Sequence, residues 1–210
     1  AARDQFVFWQ VVECRRRHHG YPGLGPVLTA FGLARGVFVA HAVQQKAGDN
    51  ADPWPVVDDV FKNPAAHLPQ ALRHDVKELA PTWKALPPER RAYLKLLSRF
   101  EVSVEQASKQ YDAGARGKQS WVATDKEILG NPYRLYEITR LDPQGVRLLT
   151  VDRGVFPDDA VRLLHPLDKP SGLDSAADLR RVRAFTLSAL ENAAASGHTL
   201  LPLQHVVRSE

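Results

Sequence analysis

Prolines and glycines divide this chain into short pieces, and that punctuation constrains the fold more than any other feature. Stops fall at Asn63-Pro64, Pro69, Pro81, Pro87-Pro88 and Gly130-Asn131-Pro132. The residue before a proline is pushed out of the helical region, so a helix ends there. Between the stops, apolar residues recur mostly at helical spacing. The expected architecture is therefore all-α and multi-helical. The one expected β feature is a short strand or extended link at residues 146–151, where the alternation is weak. No run of eighteen apolar residues exists, so no membrane span is expected.

The individual helices can be placed from their ends. Residues 3–19 read as a helix stopped by Gly20. Helices follow through Thr29 to Gly32 and Val37 to Gln45, then a polar loop to Pro55, then a helix from Val56 to Phe61. Leu68 to Trp83 reads as a helix pair around Pro69 and Pro81. Pro87-Pro88 opens a helix whose apolar stripe is Tyr93, Leu94, Leu97 and Phe100. Ser103-Val-Glu-Gln106 and Thr124-Asp-Lys-Glu127 have the form of capping boxes. The first opens a helix to Tyr111, the second a helix to Gly130. Helices at Tyr133 to Thr139 and Asp158 to Leu164 complete the middle. A long helix then starts at Asp178, with its stripe at Leu179, Val182, Thr186, Ala189 and Ala193 and a glycine cap at Gly197. The segments expected are an N-terminal helix (1–20), a helical domain (21–118), a second helical unit (119–168) and a small helical domain (169–210). Val60-Phe-Lys-Asn-Pro-Ala-Ala-His-Leu68 also resembles Ile128-Leu-Gly-Asn-Pro-Tyr-Arg-Leu135. Either one hairpin unit is repeated or two Asn-Pro stops are unrelated.

The 210 residues suffice for one large or two small domains. The lone Cys14 excludes an internal disulfide and a multi-cysteine zinc site, which fits a reducing, cytoplasmic setting. The absence of methionine, including an initiator, reads as a piece of a longer protein. Net charge is +4, but residues 131–210 hold ten basic and ten acidic side chains, so the C-terminal half has no overall basic field. No Ser/His/Asp set, His-Glu-x-x-His motif or paired-carboxylate context stands out. No catalytic residue, metal or cofactor is expected in this segment.

Four places could meet an anion. Arg15, Arg16 and Arg17 with His18 and His19 form a cationic cluster at a helix end, where cations also complement the macrodipole. Gly114-Ala-Arg-Gly117-Lys118 superficially resembles a phosphate loop, but its glycine spacing is wrong for one; Arg116 and Lys118 read as part of a basic loop. Arg90, Arg91, Lys95 and Arg99 form a further positive region or a solvated helix face. Arg153-Gly154-Val155 has a glycine among apolar residues between two short helices. There a backbone without a Cβ approaches a phosphate closely, or the segment is a plain turn with Val155 and Phe156 in the core. Gly197-His198-Thr199 reads as a helix cap, and Tyr133 and Trp121 are candidates for stacking on bases or for the core.

Four features together resemble the helical region that precedes the ATPase core of RecD-like DNA helicases of superfamily 1. They are the Phe31-Gly32 segment, Ile128-Leu-Gly-Asn-Pro-Tyr-Arg-Leu135, the Gly154-Val-Phe hairpin, and Asp178-Leu-Arg-Arg-Val-Arg through Gly197-His-Thr-Leu-Leu-Pro202. The resemblance covers residues 25–207. It implies two degenerate helix-hairpin-helix units followed by a small helical domain. In the first unit Arg73-His-Asp-Val-Lys stands where the family has a glycine hairpin. The parent it implies is an ATP-dependent enzyme moving 5′ to 3′ on single-stranded DNA, in repair or recombination, with ATP and Mg²⁺ confined to a motor outside this segment. The implied partners are single-stranded or forked DNA and that motor. Docking on the motor or on another protein, without DNA contact, is the alternative; no membrane partner is expected.

Overall fold

The computed structural model describes residues 20–48, 51–112, 114, 123–202 and 204. Among them the regular elements are twelve helices and no strand. They are α1 (Leu24–Phe31), α2 (Gly36–Ala47), α3 (Trp54–Lys62), α4 (Pro64–His67), α5 (Gln70–Ala85) and α6 (Pro88–Leu97). They continue with α7 (Val104–Tyr111), α8 (Asp125–Gly130), α9 (Arg134–Thr139), α10 (Leu148–Val155), α11 (Asp159–Leu164) and α12 (Leu179–Ala195). None is long and apolar enough to cross a membrane.

Proline sets the corners in the way the sequence requires. Asn63, Asn131, Phe156 and His165 each end a helix, each precede a proline, and share one conformation, with φ between −145° and −130° and ψ between 64° and 92°. Each donates its backbone N–H to the carbonyl four residues back, so the helix closes its last bond before turning. The two Asn-Pro segments are alike beyond that bond. Pro64 and Pro132 are buried, and Leu68 and Leu135 both reach the core. The first copy stops after one turn at Leu68-Pro69, while the second continues as α9.

Both capping boxes form: Ser103 with Gln106, and Thr124 with Glu127, each closing reciprocal hydrogen bonds. The stripe expected on α6 is the centre of the molecule, since Tyr93, Leu94, Leu97 and Phe100 are all at most 1% exposed. Side chains of this size contribute about 1.5–3 kcal/mol each when fully buried. Around them α1 packs on α2 and α7, α3 on α4 and α5, α8 on α6, and α10 on α12. The buried residues form one continuous cluster from Tyr21 to Ala184, running across the boundaries expected at 118/119 and 168/169.

Two expectations need correction. Residues 70–85 are a single helix with Pro81 inside it, and Arg73-His-Asp-Val-Lys lies in its first half, so no hairpin turns there. A proline inside a helix costs about 3 kcal/mol. Trp83, just beyond it, holds the helix in place: its ring stacks on Phe61 with centroids 4.4 Å apart and meets Phe31 edge-on at 5.1 Å. Its Nε1 also donates to Asp58 at 3.0 Å. The second correction is at residues 146–151, where helix α10 replaces the expected strand. Leu148, Val151 and Val155 are buried at helical spacing, a period that the flanking Val146 obscures in sequence.

Candidate functional site

The helix α10 carries the expected phosphate-contacting hairpin, and the structure places its three residues differently. Arg153 is exposed on the last turn and has no ion-pair partner among the described residues. Gly154 and Val155 are buried. Gly154 is in the last turn of the helix, not in a hairpin, and its backbone faces the end of α6. A Cβ there would lie 2.4 Å from Cδ1 of Phe100 and 2.8 Å from the carbonyl oxygen of Arg99. The close backbone approach inferred from the sequence is therefore real, but its partner is the protein core. The turn itself is Phe156-Pro157-Asp158, and Asp158 caps α11 by accepting from the N–H of Val161.

Arg99 explains the second half of that contact. It is 3% exposed, and its Nε donates to the Gly154 carbonyl at 2.9 Å. Burial lowers its pKa from the ordinary guanidinium value, while the neighbouring Tyr21 opposes the shift. Tyr21 is in turn pushed up to about 12, first by burial and then by Asp52. This arginine thus ties the segment just after α6 to α10.

The cations of α6 itself, Arg90, Arg91 and Lys95, are equally committed. Nη1 of Arg90 donates to both carboxylate oxygens of Asp125, at 2.9 and 3.0 Å, and its Nη2 donates to the Tyr111 carbonyl. Arg91 bonds Asp58 at 2.7 Å and the Trp83 carbonyl at 2.8 Å, and Lys95 bonds Asp52 at 2.7 Å. The positive region seen in sequence is a set of cross-links to α3, α5, α7, α8 and the loop before α3. Its acidic partners lie more than thirty residues away in sequence, which is why composition along the chain did not reveal the pairing.

The segment Asp178-Leu-Arg-Arg-Val-Arg fastens α12 across the preceding helices. Asp178 caps the helix and pairs with Arg180, whose guanidinium holds its carboxyl below the usual carboxylate range. Arg180 also donates to the carbonyls of Gly130, Pro170 and Gly172 at 2.7–2.9 Å. Arg181 bonds Asp152 from Nε at 2.9 Å, and the hydroxyl of Tyr133 donates to the same carboxylate at 2.6 Å. Arg183 bonds Glu137 at 2.9 Å. Tyr133 is fully buried, and burial followed by its bond to Asp152 raises its pKa, so it is a core residue and does not stack on bases. Gly197 ends α12 at φ +81°; its N–H reaches the Ala194 carbonyl and that of His198 reaches Ala193, a complete Schellman cap.

Cys14, Arg15, Arg16, Arg17, Arg116, Lys118 and Trp121 lie outside the described residues. Among the described candidates, Arg90, Arg91, Lys95 and Arg99 are bound within the protein, whereas Arg153 remains outward. Compared with known proteins, the chain matches no family model, and it finds no similar sequence among curated proteins and no similar fold among solved structures.

Proposed function

We propose that this chain is the non-catalytic helical accessory region of a RecD-like superfamily 1 DNA helicase, supporting a motor that itself binds ATP and Mg²⁺. The observation that carries this reading is the order and bonding of residues 124–198. Two helix pairs turn at Asn131-Pro132 and Phe156-Pro157, and a capped helix beginning Asp178-Leu-Arg-Arg-Val-Arg is bonded back to both. DNA would be met by side chains, not by a glycine backbone: Arg153 at the second corner, with Arg116, Lys118, Arg15, Arg16 and Arg17 as the remaining candidates. Such contacts are sequence-independent and weaken steeply with salt.

The test is fluorescence anisotropy of the chain with labelled single-stranded and forked DNA at low and physiological salt. Binding at low salt is expected, and Arg153→Glu should weaken it and reduce the salt slope by about one. Negligible binding of both DNAs at low salt would remove the direct DNA role. A second reading, docking on the motor without DNA contact, is favoured by Leu179 and Leu200, 83% and 87% exposed at the two ends of the C-terminal helical unit. DNA-independent association with the rest of the parent chain would support it.

A further inference from the structure

At the end of α10 opposite Arg153, an open groove runs between the 140–147 loop and α12. It encloses about 600 Å³. Tyr136, Leu148, Leu149, Phe185 and Ala189 line it, and Arg147 stands on its rim. Leu149 is 57% exposed despite its size, and the small side chain of Ala189 keeps the α12 wall open.

The charges around this groove are uneven in a way that selects its occupant. Arg140 is paired with Glu191, and Asp142 with Lys109. Arg147 is exposed and has no carboxylate partner among the described residues. It caps the start of α10 without a side-chain bond, so its charge adds to the positive end of that helix. The surplus charge at the rim is thus positive beside an apolar floor. With Glu191 and Asp142 already neutralised, one unpaired cation can meet only one of the phosphates in a nucleic-acid strand, and the others would pass the apolar side chains of Leu149 and Phe185. A single carboxylate flanked by leucine-like side chains matches one cation beside apolar surface.

We propose that this groove docks an amphipathic, acidic segment of a protein partner, whose apolar side chains cover Leu149 and Phe185 while one carboxylate pairs with Arg147. Association of this kind places apolar anchors at helical spacing in the groove and uses the rim charge for register. This site is separate from the Arg153 corner and does not depend on the DNA role.

The test uses the full chain and a labelled helical peptide with leucines at i, i+4 and i+7 and a glutamate one turn away, together with its glutamate-to-lysine twin. Saturable binding of the glutamate peptide is expected. Ala189→Trp, which fills the groove, should weaken it by about tenfold or more. Arg147→Glu, a surface change, should weaken it by a similar factor and transfer the preference to the lysine twin. Four results would overturn the proposal: no saturable binding to the wild-type chain, indifference to both substitutions, a single-stranded oligonucleotide bound at the groove in place of the peptide, or a concentration-dependent dimer abolished by Ala189→Trp.

Discussion

Replacing Gly154 by alanine distinguishes a core glycine from a DNA-contacting one. The new methyl group would lie 2.4 Å from Phe100 Cδ1, 2.8 Å from Phe100 Cε1 and 2.8 Å from the Arg99 carbonyl oxygen. Phe100 is fully buried, and the carbonyl belongs to the backbone at the end of α6, so neither can swing away. Overpacking of this kind costs about 1–3 kcal/mol, and a clash with both a ring and the backbone belongs at the upper end. Alanine in a helix returns about 1 kcal/mol relative to glycine. The net loss is about 2 kcal/mol, and more if α10 retreats far enough to break the bond from Arg99 Nε to the Gly154 carbonyl, worth about 1.5–3 kcal/mol for a charged donor. Urea unfolding followed by circular dichroism should show a lower midpoint with an unchanged slope. Anisotropy on the folded variant should show unaltered DNA affinity. The opposite pair of results, stability within about 0.5 kcal/mol of wild type and weakened DNA binding, would refute the assignment of Gly154 to the core.

Other perturbations probe the remaining joints. Asp152→Ala removes the acceptor shared by Tyr133 and Arg181; breaking such a pair should cost about 3–5 kcal/mol, and a thermal midpoint near that of wild type would show that the clamp on α12 is dispensable. Gly197→Ala should cost about 1 kcal/mol because φ is +81° while the space around it is open; Gly197→Asn should lose less, and equal losses in calorimetry would argue against a conformational origin. Stability should also fall on the alkaline side. Tyr21 is pushed from 10.0 up to about 12 in the folded chain, so the unfolded chain releases its proton first. Its contribution is constant below pH 10.0 and lost as pH rises toward about 12, with Tyr133 and Tyr136 shifted in the same direction. Denaturant midpoints measured between about pH 9 and about pH 11 should decline less in Tyr21→Phe; an identical decline would exclude Tyr21 as a source.

Local rules carried much of the fold into the sequence. Asn63, Asn131, Ser103 and Thr124 mark helix ends through forces acting within four residues, and each of those ends lies where expected. Tyr93, Leu94, Leu97 and Phe100 were legible because a buried helix face repeats with the helical period. What misled was tertiary. Pro81 reads as a break until the Trp83 stack supplies a reason for the helix to continue. Gly154 signals a close backbone approach, but sequence cannot say whether the visitor is a phosphate or Phe100. The cations of α6 look like a solvated face because Asp52, Asp58 and Asp125 are remote along the chain. The apolar groove left no mark in sequence, since Arg147, Phe185 and Ala189 come together only after α10 and α12 pack.

The four pre-proline corners have a bearing on the denatured ensemble as well as on the native state. Steric limits on Asn63, Asn131, Phe156 and His165 operate whether or not the surrounding helices exist. At those points the disordered polymer already samples a narrow set of directions, so ordering them forfeits less backbone freedom than ordering an ordinary loop of the same length. Much of the route the chain takes through space is thus encoded before any side chain finds its neighbour.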